Sequence, residues 1–236
     1  MLTNKKVIIF DMDGTLIDSV GIWNDVDRAL IEKLGGDPAD SDIQTSRDEA
    51  MRRHHTAENL YLEYCAELGK IYDSPLSAEE IFKTRYGIAR HYLKEVMDYK
   101  PDADTFIKEL KSRGYTLAIA STTRRNNLDI YRTVNENFLK KAPIDTYFSV
   151  VYAREDAVKT KPDPEIYLKV METLGVSAEE CLIFEDSLIG LEAAKAAGVQ
   201  TVIMYDHYSD DDREKLNAMA DYTFATYAEA LAAISK

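Results

Sequence analysis

Val7-Ile8-Ile9-Phe10-Asp11-Met12-Asp13-Gly14-Thr15-Leu16 is the stretch that decides how this chain is read. Four apolar residues, three of them β-branched, run into two carboxylates one residue apart and then into Gly-Thr. An unbroken apolar run this short predicts a strand buried on both faces. In an open α/β sheet, ligands sit beyond the carboxyl ends of the strands. Asp11 and Asp13 are therefore expected at the mouth of a site, and Gly14 permits the tight turn there. The plain alternative is an Asp/Gly turn closing a strand, which is common.

Working outward, further short apolar runs predict strands at Val7–Phe10, Thr116–Ala120, Tyr147–Tyr152, Cys181–Phe184, Thr201–Tyr205 and, more weakly, Tyr222–Ala225. Helical stretches alternate with them from about Pro101 onward, which predicts a parallel sheet with helices on both faces. Gly114 and Gly198 stand where helix C-terminal caps are expected. The acids of Ser209-Asp210-Asp211-Asp212 are expected to favour a helix N-terminus over binding metal. Between Ser19 and Met97 the pattern is helical throughout. Ile22, Val26, Leu30 and Leu34 share one face, and Leu60, Tyr64 and Leu68 share another.

The opening motif resembles the nucleophile motif of the haloacid dehalogenase superfamily, written DxDGT in its phosphatases and phosphomutases. Three further segments, in the family's order and each just beyond a predicted strand, extend the resemblance over nearly the whole chain. They are Ala120-Ser121-Thr122-Thr123, Lys161-Pro162-Asp163-Pro164-Glu165-Ile166-Tyr167 and Glu185-Asp186-Ser187-Leu188-Ile189-Gly190. The last resembles the branch containing sugar-phosphate phosphatases and β-phosphoglucomutase. The resemblance implies an α/β fold: a Rossmann-like parallel-sheet core of residues 1–18 and 98–236, with an all-helical cap of the C1 type inserted at 19–97. An aspartyl-phosphate site has reason to carry a cap, since water must be excluded at one step and admitted at another.

The chemistry needs each residue type. One carboxylate, Asp11 by the resemblance, attacks phosphorus. A second, Asp13, gives a proton to the leaving alcohol and later takes one from water. Ser121 corresponds to the residue that hydrogen-bonds a phosphoryl oxygen. A cation at Lys161 balances the charge of nucleophile and phosphoryl group. Lys159 is the rival lysine, and the proline context favours Lys161. Magnesium takes hard oxygen ligands, which Asp11, Glu185 and Asp186 would supply, and the resemblance implies the backbone carbonyl of Asp13 as a further one. Gly14, Thr15, Thr122, Arg124, Arg47 and Trp23 are the expected substrate contacts.

The leading expectation is a magnesium-dependent phosphatase of a small phosphorylated metabolite, a sugar phosphate first. The alternative is a phosphomutase. The resemblance to β-phosphoglucomutase would place Thr and His at the start of the cap, where this chain has Ser19 and Trp23. Thr45-Ser46-Arg47-Asp48-Glu49 resembles the mutase's arginine-bearing cap loop, so Arg47 is a candidate for a distal phosphate. A solvated helix face is the plain reading of Arg47 and of Arg52-Arg53-His54-His55. A phosphate-binding protein without catalysis is a third reading, which the full set of catalytic residue types disfavours.

Bulk properties bound the rest. The 236 residues are 45% hydrophobic and 30% charged, as suits one or two soluble domains. A net charge of −13 argues against nucleic-acid binding and against an anionic membrane surface. No apolar run spans a bilayer. Cys65 and Cys181 have no metal-ligand spacing and read as free thiols in a reducing compartment. With no secretory signal evident, a cytoplasmic monomer is the plain expectation.

Overall fold

The run Val7–Phe10 forms strand β1, with all four residues buried. It is hydrogen-bonded on both sides, so neither row of its backbone groups is left open. The computed structural model describes residues 1–40, 42–54, 57 and 59–235. Its remaining strands are β2 (Thr116–Ala120), β3 (Phe148–Tyr152), β4 (Cys181–Glu185), β5 (Gln200–Met204) and β6 (Tyr222–Phe224). All neighbours are parallel, in the order 3-2-1-4-5-6.

Strand ends differ from expectation by a residue, each for a local reason. Tyr147 closes the short helix Ile144–Tyr147, so β3 starts at Phe148. Ala225 donates its N–H to the Glu229 carboxylate (2.8 Å) and leaves the ladder, so β6 ends at Phe224. β4 runs one residue further and carries Glu185 itself. The acids of 209–212 lie in a 3-10 turn, His207–Asp212, that leads directly into helix Arg213–Met219, with Asp212 at that helix's N-cap position as expected, though its side chain makes no capping hydrogen bond. Asp206 caps that turn by accepting from the Tyr208 N–H (3.0 Å), one step ahead of them.

Contacts divide the chain into two units, Met1–Ser19 with Met97–Lys236, and Val20–Val96. In the first, both faces of the sheet are covered, which a parallel sheet requires. Val7 and Ile9 face Ile166, Tyr167 and Val170 of helix Glu165–Leu174 and Ala193 and Ala194 of helix Leu188–Ala196. Phe10 points the other way, against Phe106, Phe148 and Phe184 at centroid distances of 6.3, 6.1 and 4.9 Å. Gly114 and Gly198 follow helices with φ of 87° and 75°, as left-handed caps do.

The second unit is built of helices; the helix Ser19–Lys33 leads into it, followed by Ile43–Arg53, Leu60–Ile71 and Ala78–His91. Asp42, Asn59 and Ser77 cap the last three. Its core gathers Leu30, Leu34, Ile43, Tyr64, Leu68 and Ile81. Asp27 lies in this interior with no exposure, and only paired charges survive such burial. Arg85 binds it through Nε at 2.6 Å and Nη2 at 3.1 Å, and Arg47 through Nη1 at 2.7 Å.

Candidate active site

The strand order reverses direction between β1 and β4. At such a switch point the connections leave to opposite sides and open a crevice at the carboxyl edge. Asp11 follows β1, Ser121 follows β2, and Glu185 and Asp186 lie at the end of β4. Lys161 comes from the segment between β3 and helix Glu165–Leu174. The ladder reaches past the strands to hold these residues. Asp11 donates its N–H to the Phe184 carbonyl (2.9 Å), and Ser121 to that of Tyr152 (3.0 Å).

Lys161 is 6% exposed and sits between two carboxylates. Its Nζ donates to Asp11 Oδ1 at 2.5 Å and to Glu185 Oε1 at 2.6 Å. The Tyr167 hydroxyl also donates to Glu185 Oε1 (2.7 Å), and the Tyr167 ring lies 4.9 Å from Nζ. Burial alone would discharge the lysine, yet its two carboxylate neighbours raise its pKa well above the ordinary value. At Glu185 the balance also favours charge. Burial opposes ionisation there, but Lys161 and Tyr167 outweigh it and the pKa falls. At Asp11 burial wins over Lys161 and lifts the carboxyl to about 7. Burial and repulsion from Glu185 and Asp11 likewise raise Asp186.

Those shifts describe a site short of positive charge. Asp11, Glu185 and Asp186 bring carboxylate oxygens within 4.8 Å of one another, all buried, and one ammonium stands against the three. The donors are all hard oxygens, so the set fits a hard divalent cation.

Gly14 has φ of 80°, and a Cβ there would lie 2.3 Å from an Asp186 oxygen. The loop can thus reach the carboxylate only as glycine. Thr15, expected to touch substrate, instead donates its hydroxyl to Asp186 Oδ1 (2.7 Å). Gly190 is packed still closer, its missing Cβ falling 1.9 Å from Glu185 Oε1. The Asp13 side chain is half-buried and turns to Thr123, whose hydroxyl donates to it. Thr122 and Arg124 are exposed. A small hollow is lined by Ser121, Thr122, Arg154, Lys159, Thr160 and Lys161. Lys159 itself is a surface residue that pairs with Asp163 at 3.2 Å.

In the helical unit Arg47 corrects an expectation. It is not on a solvated face: it is 7% exposed and tied to Asp27 and to Asn24 Oδ1 (2.9 Å). Trp23 lies half-buried with its ring 5.1 Å from the Arg85 guanidinium. Arg53 and His54 do fit a surface reading, since both pair with the partly exposed Glu67, at 2.6 and 2.7 Å. His55 lies outside the described residues, as does the side chain of Asp48. Thr123, Tyr167 and Gly190 were not singled out as site residues from sequence. Their signals were present: a hydroxyl run after β2, a tyrosine six residues beyond Lys161, and a glycine closing the Glu-Asp-Ser segment.

This arrangement defines an acidic active-site type of the parallel α/β class: carboxylates and a buried lysine gathered at the switch point of a parallel sheet. The chain belongs to the haloacid dehalogenase-like hydrolases, whose family model matches residues 8–204. It is an enzyme of the phosphatase type within that family. It is 31% identical over 216 residues to a phosphorylated carbohydrates phosphatase of Thermotoga maritima, covering 91% of this chain and 92% of that one. A phosphoglycolate phosphatase of Aquifex aeolicus is 27% identical, with 84% of each covered. Among solved structures, one from Thermotoga maritima assigned as a β-phosphoglucomutase superposes with a TM-score of 0.72 at 27% identity, over 93% of this chain and 94% of that one. CbbY of Rhodobacter sphaeroides in complex with phosphate gives 0.67 at 25% identity, over 95% and 96%. Among the described residues, no helix is long and apolar enough to cross a membrane.

Proposed function

We propose that this enzyme is a magnesium-dependent phosphatase of phosphorylated carbohydrates and that it works through an aspartyl-phosphate at Asp11. The observation that carries the reading is the buried group of Asp11, Glu185 and Asp186 around Lys161. Asp11 forms a bond to phosphorus as the bond to the leaving oxygen breaks, and that oxygen takes the proton of Asp13. Water then attacks the same phosphorus, Asp13 takes its proton, and the bond to Asp11 breaks to free phosphate. Such proton transfer contributes about 10²–10⁴ in rate.

Magnesium, held by Asp11, Glu185, Asp186 and the Asp13 carbonyl, would supply positive charge to the transferring phosphoryl group. Lys161 adds a second, fixed positive charge. Ser121 already accepts from the Thr123 N–H (3.0 Å) through Oγ. Its hydroxyl hydrogen remains to donate to a phosphoryl oxygen. The carbohydrate preference follows the phosphorylated carbohydrates phosphatase that this chain resembles.

A phosphomutase is the second reading, favoured by one observation. That observation is the superposition on the solved structure assigned as a β-phosphoglucomutase, at a TM-score of 0.72 and 27% identity. The deciding assay measures phosphate release from a panel of sugar phosphates, with magnesium and with chelator, beside Asp11→Asn. Magnesium-dependent release absent from the variant is expected. Undiminished turnover by Asp11→Asn would end the mechanism, and a protein that takes up label from a bisphosphate without releasing phosphate would be the mutase.

A further inference from the structure

We infer that Thr123 is the positioning residue for Asp13, holding the proton-transferring carboxylate where the leaving oxygen will be. The inference rests on the role just given to Asp13. Its own ground is the hydrogen bond from the Thr123 hydroxyl to Asp13 Oδ2.

Thr123 is well placed to position something. It is 9% exposed, and its backbone is fixed on both sides. Its N–H donates to Ser121 Oγ at 3.0 Å, and its carbonyl accepts from the Arg154 N–H at 2.9 Å. Asp13 is the opposite case. Its backbone lies in a tight loop, where the Gly14 N–H binds the Ile17 carbonyl (2.9 Å). Its side chain is half-buried and has two free torsions. The hydroxyl engages one carboxylate oxygen and leaves Oδ1 for a reacting group.

The residue type matters as much as the contact. Asp13 must alternate between carboxylate and acid within one turnover. A cationic partner such as lysine would hold it ionised. A hydroxyl carries no charge. It donates to the carboxylate and, by rotating, accepts from the protonated acid. Thr123 thus fixes position in both states. The two motifs are linked by this contact: the same short segment that offers Ser121 to the phosphoryl group holds the proton donor for the leaving group.

The test separates proton delivery from the rest of catalysis through the leaving group. A nitrophenolate leaves without a proton, whereas an alkyl alkoxide needs one. Pre-steady-state phosphorylation of the magnesium-loaded enzyme would be followed with p-nitrophenyl phosphate and with an alkyl sugar phosphate. The proteins would be wild type, Thr123→Val, Thr123→Ser and Asp13→Asn. Misplacing a reacting group by about 1 Å costs about 10²-fold. Thr123→Val is therefore expected to slow the alkyl reaction by about 10- to 100-fold. KM should stay within about twofold and the aryl burst should fall far less, with Thr123→Ser restoring the alkyl rate. Equal losses on both substrates in a folded Thr123→Val, or none on either, would overturn the inference. Should that variant not fold, Thr123→Ala is read by the same ratio. An Asp13→Asn enzyme that loses both rates equally would instead remove the proton-transfer role of Asp13. These failures are distinguishable because the Asp13 variant is judged first and by itself.

Discussion

Replacing Gly190 by alanine should disable this enzyme while improving the helix that carries the change. The added Cβ would lie 1.9 Å from Glu185 Oε1, 2.0 Å from Cδ and 2.2 Å from Oε2. Ordinary contact begins at 3.4 Å, so the carboxylate must retreat by about 1.5 Å. Glu185 has little room to do so. It accepts from Lys161 at 2.6 Å, Tyr167 at 2.7 Å, the Asp186 N–H at 3.1 Å and the Ser187 hydroxyl at 3.2 Å. A shift of that size breaks at least the first two. Hydrogen bonds to charged groups contribute about 1.5–3 kcal/mol each, whereas alanine regains about 1 kcal/mol in a helix. The net loss is then at least about 2 kcal/mol, or about 4 °C or more in Tm for a chain of this size. Displacing a reacting-site group by about 1 Å costs about 10²-fold in rate. Disturbing the surroundings of a metal ligand costs about 10- to 100-fold in metal affinity. Magnesium titrations of turnover, beside thermal unfolding, read both effects. Gly87→Ala is the control: it lies in another helix with nothing within 4 Å of the new methyl, and should gain stability. Gly190→Ala with wild-type turnover and magnesium dependence would refute the reasoning.

Three other expectations follow from the same physics. Asp27→Ala leaves Arg47 and Arg85 buried without their shared carboxylate, and should cost about 3–5 kcal/mol in urea unfolding; a loss below about 1 kcal/mol would mean that the cluster relaxes freely. Magnesium at about 100 times its Kd should stabilise the protein by about 2.7 kcal/mol, read as a rise in Tm of about 5–10 °C over the chelated protein and absent in Asp186→Asn. Burial raises Cys65 to about 12 and Cys181 to about 11. Both thiols should therefore resist disulfide reagents at pH 8 until urea is added. Because these folded-state values lie above those of the unfolded chain, their contribution to stability is full below pH 9 and declines as pH rises through 11 and 12; fast labelling of the native protein would contradict the burial.

The strands and the charged residues at their ends were legible because both obey short-range rules. An apolar run of four or five residues between polar punctuation, as at Val7–Phe10 and Cys181–Phe184, has few other uses. Given a parallel sheet, whatever follows each strand must arrive at one edge, so Asp11, Ser121 and Asp186 were expected there together. What escaped was side-chain pairing across distance. No periodic rule links Thr123 to Asp13, 110 positions away. Arg47 read as solvated because it lies in a polar stretch, Thr45 to Glu49. The clue lay elsewhere: Asp27 occupies the face shared by Val26 and Leu30, where an acid demands a buried partner.

The position of β1 at the centre of the sheet also sets the order of events during synthesis. Val7 pairs with Thr116 on one side and with Cys181 on the other, 109 and 174 residues further along. At roughly 5–20 residues per second, β1 waits roughly 9–35 seconds for its second neighbour. Throughout that interval Val-Ile-Ile-Phe is an apolar, β-prone segment with open edges, the kind that pairs with other chains. The helices of residues 20–96 depend on nearer contacts and need not wait. The residues at the carboxyl edge can therefore come together only once β4 has emerged, and a nascent chain arrested before β4 carries Asp11 on a strand with one edge still open.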